Sequence, residues 1–268
     1  MDNAAPVEEC QSDPLDVARA NALLVSLGRP PTLTEGSTLP PFFHHLFFWT
    51  PHPPDKLGRD GHPKVGGLIP DLGLPRRMWA GGRLAFHAPL RAGTPAIKRS
   101  ICARHIRKEG RTGPLAFVTL RHHITQGDTL CLTEHQDLVY RADPDVDAPR
   151  PIAPKVTLDA RERREMRFNQ TLLFRYSALT FNGHRIHYDE AYARDVEGYN
   201  GLIVHGPLLA QWLMIMATEN LGTLSAFSFR ATAPVMHHET VWLCQDGTDL
   251  WVEGPEERLC MTATAEVM

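Results

Sequence analysis

The run from Gly198 to Thr218 contains no Asp, Glu, Lys or Arg. Within it Gly206 precedes Pro207, apolar residues fill Leu208 to Leu221 on almost every side, and Gly222 follows. Proline at a first helical position and glycine just past the last one are start and stop signals of a helix. A helix that is apolar nearly all round cannot lie on a surface, so a sheet is expected to wrap around it. Asn200, His205, the Gly-Pro break and Gln211 leave the continuous apolar part too short to span a bilayer, and no membrane partner is expected. The start of such a helix points free backbone N–H groups toward whatever lies near Gly206, where the missing side chain lets a carbonyl come close. That is the geometry of an oxyanion site.

Strand-like segments flank this helix in two groups. The first comprises Arg83–Phe86, Ala96–Ile106, Leu115–Thr125 and Thr129–Tyr140, and the second Ser225–Ala233, Glu239–Gln245, Leu250–Glu253 and Leu259–Val267. Pro89-Leu90-Arg91-Ala92 and Pro234-Val235-Met236-His237, 145 positions apart, stand at matching places in the two groups. The pattern suggests one helix-plus-antiparallel-sheet unit used twice, an α+β architecture. Residues 143–157, rich in proline and aspartate, read as a linker between an N-terminal unit at 1–142 and a C-terminal unit at 158–268. Two helices are expected besides the apolar one. Asp13–Ser26 would be capped by Asp13, and a charged Leu158–Glu165 would carry Arg161, Arg163 and Arg164 on a solvated face. From Arg29 to Pro75 the chain is punctuated by Pro and Gly but holds Phe42, Phe43, Phe47, Phe48 and Trp49, which suits an ordered cover over something apolar.

Composition narrows the functional classes. Lys+Arg 28 against Asp+Glu 31 gives a net charge of −3, without the basic excess that nucleic-acid binding calls for. Five cysteines, odd in number and without a C-x-x-C pair, suit reduced thiols in a cytoplasm. The acidic start with Asp2, Glu8 and Glu9 is not a signal peptide. Phosphate-binding and nucleophile-elbow glycine motifs are missing. Fourteen histidines invite a metal site, but His44-His45, His122-His123 and His237-His238 are adjacent pairs that a strand would turn to opposite faces, and no zinc spacing occurs. No metal is expected.

The chemistry concentrates just before the apolar helix. Asn182-Gly183-His184-Arg185-Ile186-His187 packs an amide, two imidazoles and a guanidinium into six residues, followed by Tyr188 and by Asp189, which could cap a short helix Glu190–Asp195. His205 alone would be read as a structural histidine, but the cluster running into a Gly-Pro helix start is harder to explain as packing.

This segment resembles the hydratase signature of the MaoC-like double-hot-dog hydratases and dehydratases, in which a D-x-N-x-x-H loop precedes H-G-M/P at the start of a central helix. LPPFFHHLFFWTPHPP, GLPRRMWAGGRLAFHAPLRAG and KEGRTGPLAFVTLRHHI in the first half are also similar to the branch that includes mesaconyl-C4-CoA and itaconyl-CoA hydratases and mitochondrial-type 3-hydroxyacyl-thioester dehydratases. The resemblance implies two fused units, each an antiparallel sheet wrapped around a central helix, with one working site in the C-terminal unit and a non-catalytic N-terminal one. His187 falls on the catalytic histidine, Gly206 on the glycine whose N–H polarises the thioester carbonyl, and Asn182 where single-hot-dog members carry a catalytic aspartate. An amide cannot take a proton, so Asn182 would orient water rather than serve as base. His184 replaces the family's Asn. His184, Arg185, Tyr188, His205 and Pro207 are the expected substrate contacts, with Arg185, and Arg175 behind it, nearest for a distal carboxylate.

The implied activity is reversible hydration of an enoyl-CoA thioester, with a C5-dicarboxylate-derived acyl group such as mesaconyl-C4-CoA or itaconyl-CoA. If His187 also returns the proton to the α-carbon, the addition is syn. A fatty-acid-type 3-hydroxyacyl dehydratase on CoA or carrier protein, or a binding protein whose site has decayed, are the alternatives. Coenzyme A would arrive as part of the substrate, no other cofactor is implied, and a cytoplasmic homodimer or higher homo-oligomer is expected.

Overall fold

The computed structural model describes residues 7–110, 113–143 and 152–268. Its ten strands are β1 (Glu8–Asp13), β2 (Arg76–Phe86), β3 (Ala96–Gly110), β4 (Gly113–Gln126), β5 (Thr129–Arg141), β6 (Glu162–Arg167), β7 (Leu224–Ala231), β8 (Thr240–Asp246), β9 (Asp249–Gly254) and β10 (Arg258–Val267). Four α-helices accompany them: α1 (Val17–Ser26), α2 (Gln170–Leu179), α3 (Glu190–Asp195) and α4 (Gly206–Leu221). The strands form one antiparallel sheet in the order β1-β3-β4-β5-β2-β7-β10-β9-β8-β6. Exchanging each first-half strand for its second-half equivalent gives the same order read from the opposite edge, so the halves are related by a pseudo-two-fold axis between β2 and β7. The Pro89 and Pro234 motifs follow those two central strands, as the repeat suggested. Where the halves meet, Gly82 lies opposite Phe229, and a Cβ on Gly82 would sit 2.8 Å from the Phe229 ring.

Helix α4 is the axle of this arrangement. Pro207 through Ala217 are all buried, and the helix packs on β2, β7, β8, β9 and β10. Each large apolar side chain so buried contributes about 1.5–3 kcal/mol. The first half reaches it too: Gln211 donates to the Pro41 carbonyl at 2.9 Å, and Arg29 pairs with Glu219 near the helix's far end. One core cluster includes Leu23 and Phe43 from the first half together with Leu213 and Leu243 from the second. In the Pro/Gly-rich segment Phe42, Phe43, Phe47 and Phe48 are buried and Trp49 is partly exposed.

Several local expectations change. Leu158–Glu165 is not a helix: Glu162–Arg167 forms edge strand β6 against β8, with alternating exposure along Glu-Arg-Arg-Glu-Met-Arg. The sheet edge overrides helix propensity there, Arg163 stacks on Trp242 at 4.3 Å, and the charges discourage pairing with another chain. Asp13 does not cap α1. It ends β1 and accepts from Leu15 N–H and Phe48 N–H, while Asp16 supplies the cap. Strand β1 and helix α2, capped by Asn169, carry too little apolar periodicity to stand out in sequence. Most of the expected linker, Pro144 to Pro151, lies outside the described residues.

His44 and His45 also break an expectation. They lie on a 3-10 turn, Phe43–Leu46, rather than a strand, and both rings converge on buried Glu134, at 3.2 and 2.8 Å. Burial alone would push Glu134 up, but the two imidazoles hold its carboxyl well below the usual range. Burial drives His44 and His122 down to about 4. Such histidines stay neutral in the fold yet titrate near 6.5 once unfolded, so the unfolded chain binds more protons between about pH 6.5 and pH 4. Stability is therefore full above pH 6.5 and is lost as pH falls through that window. Thermal denaturation is expected to show a melting temperature roughly 5 °C or more lower at pH 5 than at pH 7.5.

Candidate active site

Helix α2 ends in a turn that aims the reacting loop. Phe181 adopts a left-handed conformation (φ 52°) and stacks on Trp49, 4.9 Å between centroids. Asn182 N–H then bonds back to the Ser177 carbonyl at 2.8 Å, and its side-chain oxygen accepts from His184 N–H at 3.0 Å. A 3-10 turn, Arg185–His187, follows, and Asp189 caps α3 by accepting from Tyr192 N–H, as its position in the sequence predicts. The loop is clamped at its far end, where Ile203 N–H bonds to the Ile186 carbonyl and His187 Nδ1 lies 2.8 Å from the Ile203 carbonyl. A carbonyl can only accept, so Nδ1 carries the proton and the Nε2 lone pair is bare.

His187 is brought directly to the start of α4. Its ring stacks on His205 with centroids 3.6 Å apart, and His205 is the residue before Gly206. His205 is wholly buried, with Nε2 2.8 Å from Ser177 Oγ. Gly206 N–H, in the first helical turn, has no acceptor within the helix. The space beside it is open: a Cβ there would find only the Trp79 carbonyl oxygen, 3.9 Å away. Pro207 is buried behind it.

The remaining expected contacts divide. His184 meets His187 edge-on at 5.4 Å and lies in the same cluster. Tyr188 is about half exposed, and its hydroxyl donates to the Gly183 carbonyl at 3.0 Å. Arg185 is occupied by Asp189 at 2.7 Å, by the Arg59 carbonyl and by the Tyr192 ring. Arg175 is exposed on α2.

Sequence reasoning missed the contribution of residues 58–62. Asp60 and His62, within the Pro/Gly-rich cover, reach the reacting loop. The Asp60 carbonyl accepts from Arg185 N–H at 2.9 Å, and the His62 ring lies 4.5 Å from that of His184. The two loops touch backbone to backbone. Gly61 has φ +87°, and a Cβ on it would lie 2.1 Å from the Gly183 carbonyl oxygen, while one on Gly183 would lie 2.9 Å from the Gly61 oxygen. The only signal in sequence was the Asp-Gly-His run itself, easily read as a turn.

Electrostatically the centre is a file of neutral imidazoles. Burial pushes His187 down to about 3, against the upward pull of its bond to Ile203. Burial also depresses His62, His184 and His205. Two groups, Asp60/His62/His184 and His44/His45/Glu134, have ligand atoms within 4.8 Å of one another and could in principle hold a cation. A polar cavity of about 200 Å³, lined by His45, Lys98 and Glu134 among others, opens on Thr180 and Phe181 beside the loop. Among the described residues no helix is long and apolar enough to cross a membrane. A bare imidazole nitrogen next to a free helix N–H can take a proton from water while an oxyanion forms.

Comparison with known proteins adds a second line. The profile of the family described as hydroxyacyl-thioester dehydratase type 2 matches residues 42–237. The chain is 43% identical over 262 residues to mesaconyl-C(4)-CoA hydratase of Chloroflexus aurantiacus, covering 95% of this chain and 93% of that one. It is 26% identical over 247 residues to the mitochondrial hydroxyacyl-thioester dehydratase type 2 of Schizosaccharomyces pombe, covering 81% of each. Among solved structures, HtdX of Mycobacterium tuberculosis superposes with a TM-score of 0.70 at 17% identity, covering 98% of this chain and all of that one. A second M. tuberculosis protein, described as a double hot-dog fold, gives 0.60 at 16%, covering 98% and 96%. The fold is therefore a double hot-dog.

The glycine contact is testable at once. Gly61→Ala is expected to cost about 2 kcal/mol or more, because backbone must move and a left-handed residue gains a side chain. Thermal denaturation should show a drop of roughly 5 °C or more, whereas Gly36→Ala, equally left-handed but with open space around it, should show less.

Proposed function

The chain belongs to the hydroxyacyl-thioester dehydratase type 2 family of MaoC-like double-hot-dog enzymes, and from that premise we propose that it reversibly hydrates a short enoyl-CoA thioester, mesaconyl-C4-CoA first among candidates. The observation that carries the reading is the stacking of His187, its Nδ1 spent on Ile203, on His205, the residue before Gly206 at the head of α4. Adding water to an α,β-unsaturated thioester needs a base for the water, stabilisation of the enolate oxygen, and a proton for the α-carbon. In the proposed mechanism His187 Nε2 takes the proton as the water oxygen bonds to the β-carbon. The π pair moves toward the thioester oxygen, which Gly206 N–H holds, an interaction commonly worth a few kcal/mol. The imidazolium then returns its proton to the α-carbon on the same face, giving syn addition. Asn182 spends its oxygen on His184 N–H and keeps its amide N–H groups for orienting the water.

With Arg185 already occupied by Asp189, the distal carboxylate of a C5 acyl group must find another cation. Coenzyme A enters as part of the substrate, and the mechanism calls on no resident cofactor. Itaconyl-CoA is the related substrate to compare, and a cytoplasmic homo-oligomer is the expected setting. The fatty-acid-type dehydratase reading draws support from the yeast relative and makes carrier-protein thioesters part of the test.

Loss of enoyl-thioester absorbance should be followed on mesaconyl-C4-CoA, itaconyl-CoA, crotonyl-CoA and a crotonyl carrier protein. The expected order places a dicarboxylate-derived CoA ester first. Preference for the carrier protein would favour the fatty-acid reading, and inactivity on every thioester would return the chain to a binding role. His187→Ala is expected to lower kcat about a thousandfold, and near-native turnover would remove it from the base role. Because the base must be unprotonated and burial holds its proton affinity down to about 3, kcat/KM should not lose activity as pH falls through 6.5. An acidic limb centred near 6.5 would contradict that placement.

A further inference from the structure

The reacting loop lacks the carboxylate that would steady its histidines, and the first half of the chain brings one. Asn182, not an aspartate, opens the loop, and among the described residues His187 is backed only by the Ile203 carbonyl. From the other half, Asp60 is about nine-tenths buried, and both its carboxylate oxygens face His62, with Oδ1 accepting from His62 N–H at 3.1 Å and Oδ2 lying 3.2 Å from Nδ1. Carrying its proton on Nδ1 for Asp60 leaves His62 Nε2 bare, with no hydrogen-bond partner among the described residues. Beyond His62 the rings of His184, His187 and His205 follow at 4.5, 5.4 and 3.6 Å. The file thus runs from a carboxylate in one half to a helix N-terminus in the other. The Gly61–Gly183 contact fixes its spacing.

We propose that Asp60 and His62 are a positioning pair for the hydration reaction: Asp60, held by His62, supplies the negative charge that offsets the positive charge arising on the histidine file when His187 takes a proton from water. The inference rests on the hydratase reading. No bond to substrate is made or broken by the pair; the proton stays with His187 and returns to the α-carbon. The need is physical. A buried imidazole surrounded by other imidazoles gains a proton at a high cost unless a fixed anion lies nearby. The charged and titratable groups facing His62 are Asp60, Arg77 of β2 and His184, with His187 behind. At His62, Arg77 disfavours a positive charge and Asp60 favours it. Burial opposes the charge on Asp60 too, yet the hydrogen bonds it accepts from His62 hold it below the ordinary aspartate value. The N-terminal half would then be part of the reacting centre rather than a scaffold for it.

Asp60→Asn is the decisive variant, because it removes the charge while the amide oxygen keeps one of the two acceptor positions that face His62. It is expected to lower kcat about tenfold or more with KM changed less than about twofold and the melting temperature held. In the free enzyme, NMR titration of the ring resonances should show His62 protonating at lower pH than in the native chain, since a neighbouring carboxylate raises a histidine's proton affinity. His62→Gln should lower kcat similarly, and the double variant should lose no more than the single ones, as expected of groups acting as a unit. Unchanged kcat in Asp60→Asn, a loss that only tracks melting temperature, or additive losses would each overturn the pair while leaving His187 as base. An enzyme inactive on every enoyl thioester would overturn the hydration reading and the pair with it.

Discussion

Helix α4 has almost no face that could meet water, and the rest of the molecule follows from that. Its side chains can be satisfied only inside a curved sheet, so β2 and β7 to β10 close around it. Once it is buried, its N-terminus cannot be solvated freely. It must open on something polar, and His205, His187 and the loop from Asn182 occupy that place. The same hydrophobic demand that shapes the core therefore fixes where an oxyanion can be held. Packing and chemistry share one element.

Two quite different kinds of residue could be read from sequence. The α4 boundaries, the Asp189 cap and the residues Asn182 to Gly206 stood out because capping and apolar periodicity are local properties, visible within a dozen positions. Strands β7 to β10 were likewise placed to within a residue or two. What escaped notice depends on partners far along the chain. Glu162–Arg167 is a strand only because β8 offers an edge, and nothing within those six residues says so. Asp60 and His62 belong to the centre only because a turn some 120 residues earlier folds onto Gly183. His44 and His45 converge because they sit on a turn, a geometry that adjacent histidines do not announce.

The pseudo-symmetry sharpens the contrast between the halves. Strand, helix and 3-10 turn succeed one another in each: β1, α1 and Phe43–Leu46 in the first, β6, α2 and Arg185–His187 in the second. Helices α1 and α2 pack on each other across the axis. The equivalent turns have diverged in chemistry. In the first half the histidines are locked on Glu134, an internal hydrogen-bond network that is already satisfied. In the second, His187 faces a helix end with its Nε2 uncommitted. A network with every partner in place is rigid and inert, whereas a bare nitrogen beside a free N–H is available for reaction.

The contact between Gly61 and Gly183 is made of main chain alone, with no side chain from either residue between the two loops. A gap filled by side chains can be widened or narrowed one substitution at a time. This one cannot, because every side chain is an enlargement. The distance between the loops can change only through chain length, by insertions or deletions that reset where the Pro/Gly-rich segment lands. In a lineage of such enzymes, adaptation to larger or smaller acyl groups would be written as gaps in this segment of an alignment rather than as exchanges at these two glycines.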